Sequence, residues 1–133
     1  MTFEALLALG LHPAATDVPT IRAVLVDETT RERAAQGEGD TEVMRLAAAQ
    51  LFAAGTVDDA ILIWRAKRAS MDAACSIDIE LLCGRGLDET LKHLDALGDD
   101  GAKAADAVRT NIDDDFDIAD FTAHLVRYYG DVG

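Results

Sequence analysis

Apolar positions recur at helical spacing along nearly the whole chain, and glycines or capping residues interrupt them at short intervals. The first stretch, FEALLAL, follows Thr2 as a cap and stops before Gly10. A second helix is predicted to begin near Asp17, with Pro19 in the first turn, where a missing N–H does no harm. It puts Ile21, Val24 and Leu25 on one face. Its continuation, DETTRERAAQ, is polar all round, which predicts an exposed or frayed second half. Gly37-Glu38-Gly39-Asp40 breaks it, and Thr41 is read as the cap of a third helix. There Val43, Leu46, Ala47, Leu51 and Ala54 keep helical spacing, and Gly55 ends the run. Thr56-Val57-Asp58-Asp59 has capping-box spacing, with Asp in the final place, and opens a fourth helix, AILIWRAKRAS.

Residues 75–81 alternate apolar and polar side chains, which is a strand period, yet Cys75, Ile79, Leu82 and Cys83 also share a helical face. Helix is the preferred reading, because the chain offers no convincing partner strand and a lone strand is not stable. Gly84-Arg85-Gly86 punctuates. Asp88 is then expected to cap a helix carrying Leu87, Leu91 and Leu94 as far as Gly98. Asp99-Asp100-Gly101 opens an alanine-rich helix to about Thr110. Asp117 caps the last helix, whose stripe is Ile118, Phe121, Leu125 and Tyr128. The expected fold is all-α, a single domain over residues 1–133. About eight helices would form stacked antiparallel hairpins or an irregular helical bundle, helical-repeat-like.

Composition agrees. Alanine occurs 24 times and proline twice, which favours helix. Asp outnumbers Glu by 18 to 7, a bias that suits helix starts and loops better than helix interiors. Against 25 acidic residues stand 12 Lys and Arg, giving a net charge of −13. That balance argues against nucleic acid and against an anionic membrane as partners, since both need clustered cations. No apolar run approaches the roughly 18 residues of a membrane span, and the start lacks the basic region of a signal peptide. Cytoplasmic location is the expectation, with Cys75 and Cys83 as two reduced, buried thiols.

The stretch from Arg45 to Lys67, RLAAAQLFAAGTVDDAILIWRAK, resembles one helix-turn-helix of a tetratricopeptide repeat. Ala48, Leu51, Gly55, Asp58, Asp59 and Ala60 hold the positions of that pattern, and Trp64 stands where the family carries a large aromatic residue. The resemblance implies a close antiparallel helix pair with Trp64 in the groove between them, and a scaffold that binds a peptide or protein. No 34-residue period runs through the rest of the chain, and the family's closing proline is absent.

Catalytic and metal-binding patterns are weak. His12, His93 and His124 form no HxxxH or HExxH pair, and the cysteines are too far apart for a CxxC knuckle. Residues 111–117, NIDDDFD, are rich in oxygen ligands but lack a calcium loop's central glycine and closing glutamate. Neither a metal nor any other cofactor is expected. No nucleophile has a base placed beside it in sequence, and no phosphate or dinucleotide glycine motif occurs. One cluster stands out: Asp72, Asp78, Glu80 and Arg85 surround the cysteines directly after Arg65 and Arg68. With Trp64 these residues are the candidate ligand pocket.

The other signal is charge. From Asp88 onward there are 12 acidic and 4 basic residues, and concentrated negative charge speeds encounter with a basic partner. In size and charge the chain is similar to the small acidic immunity proteins of bacteria, which present carboxylates to a basic toxin site. The leading expectation is therefore a helical protein-binding module without catalysis, docking through Asp113, Asp114, Asp115 and Asp120. The alternatives are a tetratricopeptide-like adaptor gripping a peptide near Trp64, and a small-ligand binder or enzyme centred on Asp72 to Arg85.

Overall fold

The computed structural model describes residues 1–130. Among them the chain is all-α, with no strand. The helices are α1 (Phe3–Leu7), α2 (Val18–Ala34), α3 (Thr41–Ala54), α4 (Ala60–Lys67), α5 (Met71–Ser76), α6 (Leu87–Asp95), α7 (Asp99–Asn111) and α8 (Ile118–Tyr129). Short 3-10 turns cover Ala15–Asp17, Val57–Asp59 and Ile79–Leu82.

α3 is the central element. From Val43 to Phe52 every side chain but that of Arg45 is buried, so the helix has almost no solvent face. It packs most extensively on α2, and also on α1, α5 and the 79–82 turn. Small residues make this possible, because Ala47, Ala48 and Ala49 let neighbours approach on all sides. Gln50 is the one buried polar side chain in the run. Its Nε2 donates to the carbonyls of Leu6 and Gly10 at 2.8 and 3.0 Å, satisfying the end of α1 and fastening it to the core.

The second half of α2 is largely exposed, as its polar sequence implies, but it is regular helix as far as Ala34 and two of its carboxylates turn inward. Glu28 and Glu32 are buried on its inner face, and Glu32 is only 1% exposed. The loop after the helix supplies their partners. The Gly37 and Gly39 amides donate to Glu32 Oε1 at 2.9 and 3.1 Å, and the Asp40 amide donates to Glu28 Oε2 at 2.7 Å. The two buried carboxylates are thus hydrogen-bonded, Glu32 also by the Ser70 hydroxyl, as burial of carboxylates requires.

Several caps differ from expectation. Asp40, not Thr41, caps α3, accepting from the Glu42 and Val43 amides at 3.0 and 3.1 Å. Thr56 makes no capping hydrogen bond, and Asp59 turns away from the helix end to pair with Arg22. Gly86, not Asp88, is the residue at the start of α6. Thr2 and Asp117 do cap α1 and α8, accepting from Ala5 and Asp120 at 3.1 Å each. Residues 75–83 are helical but broken: α5 ends at Ser76, Ile77 is extended, and a 3-10 turn resumes at Ile79.

α3 and α4 do not close on one another as the main helix pair. α4 packs instead on the 79–82 turn, α2, α5 and α7. The tightest hairpin is α6–α7, where Gly101 lies against the Leu94 carbonyl so closely that any β-carbon would collide with it. α8 is peripheral. Leu125 is its one fully buried residue, and Phe121 meets the Phe52 ring edge-on at 5.3 Å. Ile118 and Tyr128, expected on its apolar stripe, are exposed. No described helix is long and apolar enough to cross a membrane.

Candidate functional site

The acidic loop joins α7 to α8. Ile112 is buried before it, and Phe116 within it packs at 6.1 Å from the Phe121 ring, so both ends are pinned to the protein. Between and beyond those anchors, Asp113, Asp114, Asp115 and Asp120 are all exposed. The nearest ion pairs in sequence belong to Asp95 and Asp106, which share Arg109. The four loop and helix carboxylates have no cationic partner among the described residues. Like charges held this close repel one another and gain nothing from burial, so folding alone gives no reason for their concentration.

The candidate pocket around Trp64 divides. Trp64 is 9% exposed, with the Arg68 guanidinium 5.4 Å from its ring centre. Arg65 reaches Asp100 at 4.0 Å. These three residues line a cavity of about 170 Å³ together with Arg33 from α2 and Lys103 from α7, neither of which sequence proximity suggested. Arg65 and Arg68 sit in and just after the last turn of α4, where the free carbonyls favour cations. Arg33 Nη2 donates to the Arg65 carbonyl at 3.4 Å, helping to cover that end.

Asp72, Asp78, Glu80 and Arg85 do not gather there. Asp72 is exposed in the first turn of α5, Glu80 is half-buried in the 79–82 turn, and Arg85 is exposed beside Gly55. Asp78 lies 3.8 Å from Arg45 on α3. The break at Ile77 sends these residues in different directions.

Arg45 belongs to a third feature, which the sequence did not reveal. Its guanidinium lies 4.2 Å over the Tyr128 ring, at the edge of a cavity of about 310 Å³ lined also by Phe3, Ser76 and Tyr129. Burial pushes the Tyr129 hydroxyl up to about 12, with Arg45 opposing that rise. Tyr129 is therefore a neutral phenol at neutral pH.

The two thiols part company. Cys75, expected to be buried, is exposed on α5, whereas Cys83 is buried. Burial raises the Cys83 thiol to about 11, against a weaker lowering by Thr90. It is not poised as a nucleophile. His93 is half-buried, 3.9 Å from Asp58. Among the described residues no three His, Cys, Asp or Glu side chains converge as a metal site. Comparison with protein-family models, with curated proteins and with solved structures finds no match for this chain.

Proposed function

We propose that this chain is an inhibitory protein-binding module, without catalysis of its own, that docks on a basic partner through the acidic loop between α7 and α8. The observation that carries this reading is the set Asp113, Asp114 and Asp115, exposed and unpaired on a loop anchored at Ile112 and Phe116, with Asp120 exposed and unpaired in the first turn of α8 beside it. An anchored loop loses little conformational freedom on binding, and unpaired carboxylates attract a cationic surface from a distance. This is the arrangement expected of an immunity-type protein that covers a basic active site.

The test replaces Asp113, Asp114 and Asp115 by Asn and leaves the Asp117 cap intact. The binding partner is captured on the immobilised wild-type chain, and its association rate is then measured for wild type and variant. Expected are unchanged or slightly higher stability and association slowed several-fold in low salt, with the difference fading in high salt. Equal association rates in low salt would overturn the proposal.

A further inference from the structure

We infer that the cavity beside Trp64 is a binding site for a small organic phosphate monoester, with the phosphate among four cations and a short apolar arm in the adjoining recess. The chain carries only 12 Lys and Arg against 25 acidic residues, yet Arg33, Arg65, Arg68 and Lys103 converge on one cavity from α2, the end of α4 and α7. One carboxylate, Asp100, faces them, and it reaches only Arg65, at 4.0 Å. Elsewhere no such gathering occurs, and several cations are matched by carboxylates. Arg22 holds Asp59, Arg31 holds Asp27 and Glu28, and Arg109 holds Asp95. Four cations facing one carboxylate leave a local excess of positive charge that a dianion would balance. Over the screening length of about 8 Å at physiological salt, that local excess outweighs the more distant acidic field.

The size and surroundings narrow the ligand. A cavity of about 170 Å³ admits a phosphate and not a polymer. Arg68 already covers the Trp64 ring, so a base or sugar cannot stack there. On the other side of Arg33 and Arg65 lies a second recess of about 160 Å³, lined by Val26 and Leu62 with Thr29 and Thr30. A ligand with its charge in the first cavity and a small apolar group in the second fills both while its phosphate bonds the guanidinium groups between them.

Phenyl phosphate is the probe, titrated by calorimetry at constant ionic strength alongside inorganic phosphate and phenol. The expected result is saturable binding of phenyl phosphate, at least tenfold weaker binding of inorganic phosphate, and none of phenol. The double variant Arg68→Gln, Lys103→Gln should weaken phenyl phosphate binding at least tenfold. Both residues are exposed, so its melting temperature should match that of wild type. If that variant does not fold, Arg33→Gln serves in its place, with a several-fold loss expected. Absence of saturable heat from phenyl phosphate, or equal affinity in wild type and variant, overturns the site. Equal binding of phenyl phosphate and inorganic phosphate overturns the apolar arm.

Discussion

The Glu32 carboxylate accepts the Ser70 hydroxyl at 2.5 Å, across a sequence gap that includes all of α3 and α4. The same hydroxyl oxygen accepts the Ala73 amide at 3.0 Å, so Ser70 caps α5 while tying it to α2. With the Gly37 and Gly39 amides on its other oxygen, Glu32 is a buried anion satisfied from three places in the chain.

This arrangement makes stability depend on acid. The Ser70 hydroxyl, and more weakly the two glycine amides, hold the Glu32 carboxyl below the ordinary glutamate range, despite the opposing effect of burial. A carboxyl lowered in the folded state contributes stability above its unfolded pKa, and that contribution is lost as pH falls through the folded value. The resistance of wild type to urea should therefore fall as the pH is lowered below about 5. Glu32→Gln should cost about 1–3 kcal/mol at pH 7 and make that acid limb shallower. A Gln variant with the same acid limb as wild type would show that Glu32 is not the linked group.

Arg22 and Asp59 form the second long-range pair, two-pronged at 2.6 and 3.0 Å. Asp59 is 1% exposed, so removal of its partner strands a buried charge. Arg22→Ala should destabilise by about 2–4 kcal/mol, and Arg22→Lys by somewhat less, since an ammonium cannot make both bonds at once. Adding Asp59→Asn to Arg22→Ala should recover part of the loss. Thermal unfolding of the three variants reads this directly; a harmless Arg22→Ala would show that the pair carries no stability.

The thiols provide a check on the fold at residues 75–83. Cys75 should react with a disulfide reagent within minutes at neutral pH, while Cys83 should react only when the protein opens. The count is one thiol in the native protein and two in urea. Two fast thiols in the native state would contradict the burial of Cys83.

Much of the helical framework was legible because its signals are local. Thr2 and Asp117 cap as their positions imply, Pro19 lies in the first turn of α2, and Gly55 ends α3 with a positive φ of 72°. The larger misreadings come from competition by residues elsewhere in the chain, whereas the caps of α3 and α6 are displaced by only one or two positions. Asp59 has the look of a cap, but Arg22 takes both of its oxygens. The polar half of α2 is mostly solvated as it looks, but the burial of Glu28 and Glu32 is not legible until the glycine loop and Ser70 are known. The exposed acidic loop was readable because neighbouring like charges rarely pack inward. The cluster from Asp72 to Arg85 was adjacent only along the chain. Its spatial replacement beside Trp64 needed Arg33 and Lys103, which no short spacing could connect.

The burial of α3 has a consequence for the order in which the protein is made. α1 and α2 precede it and cover part of its surface, but α5, the 79–82 turn and the ring of Phe121 come later. A nascent chain that has reached only the end of α4 therefore carries LAAAQLFAA with one flank bare, the kind of segment that chaperones hold. Folding of this helix has to wait for residues beyond it, so the carboxyl-terminal half is needed to complete the amino-terminal one.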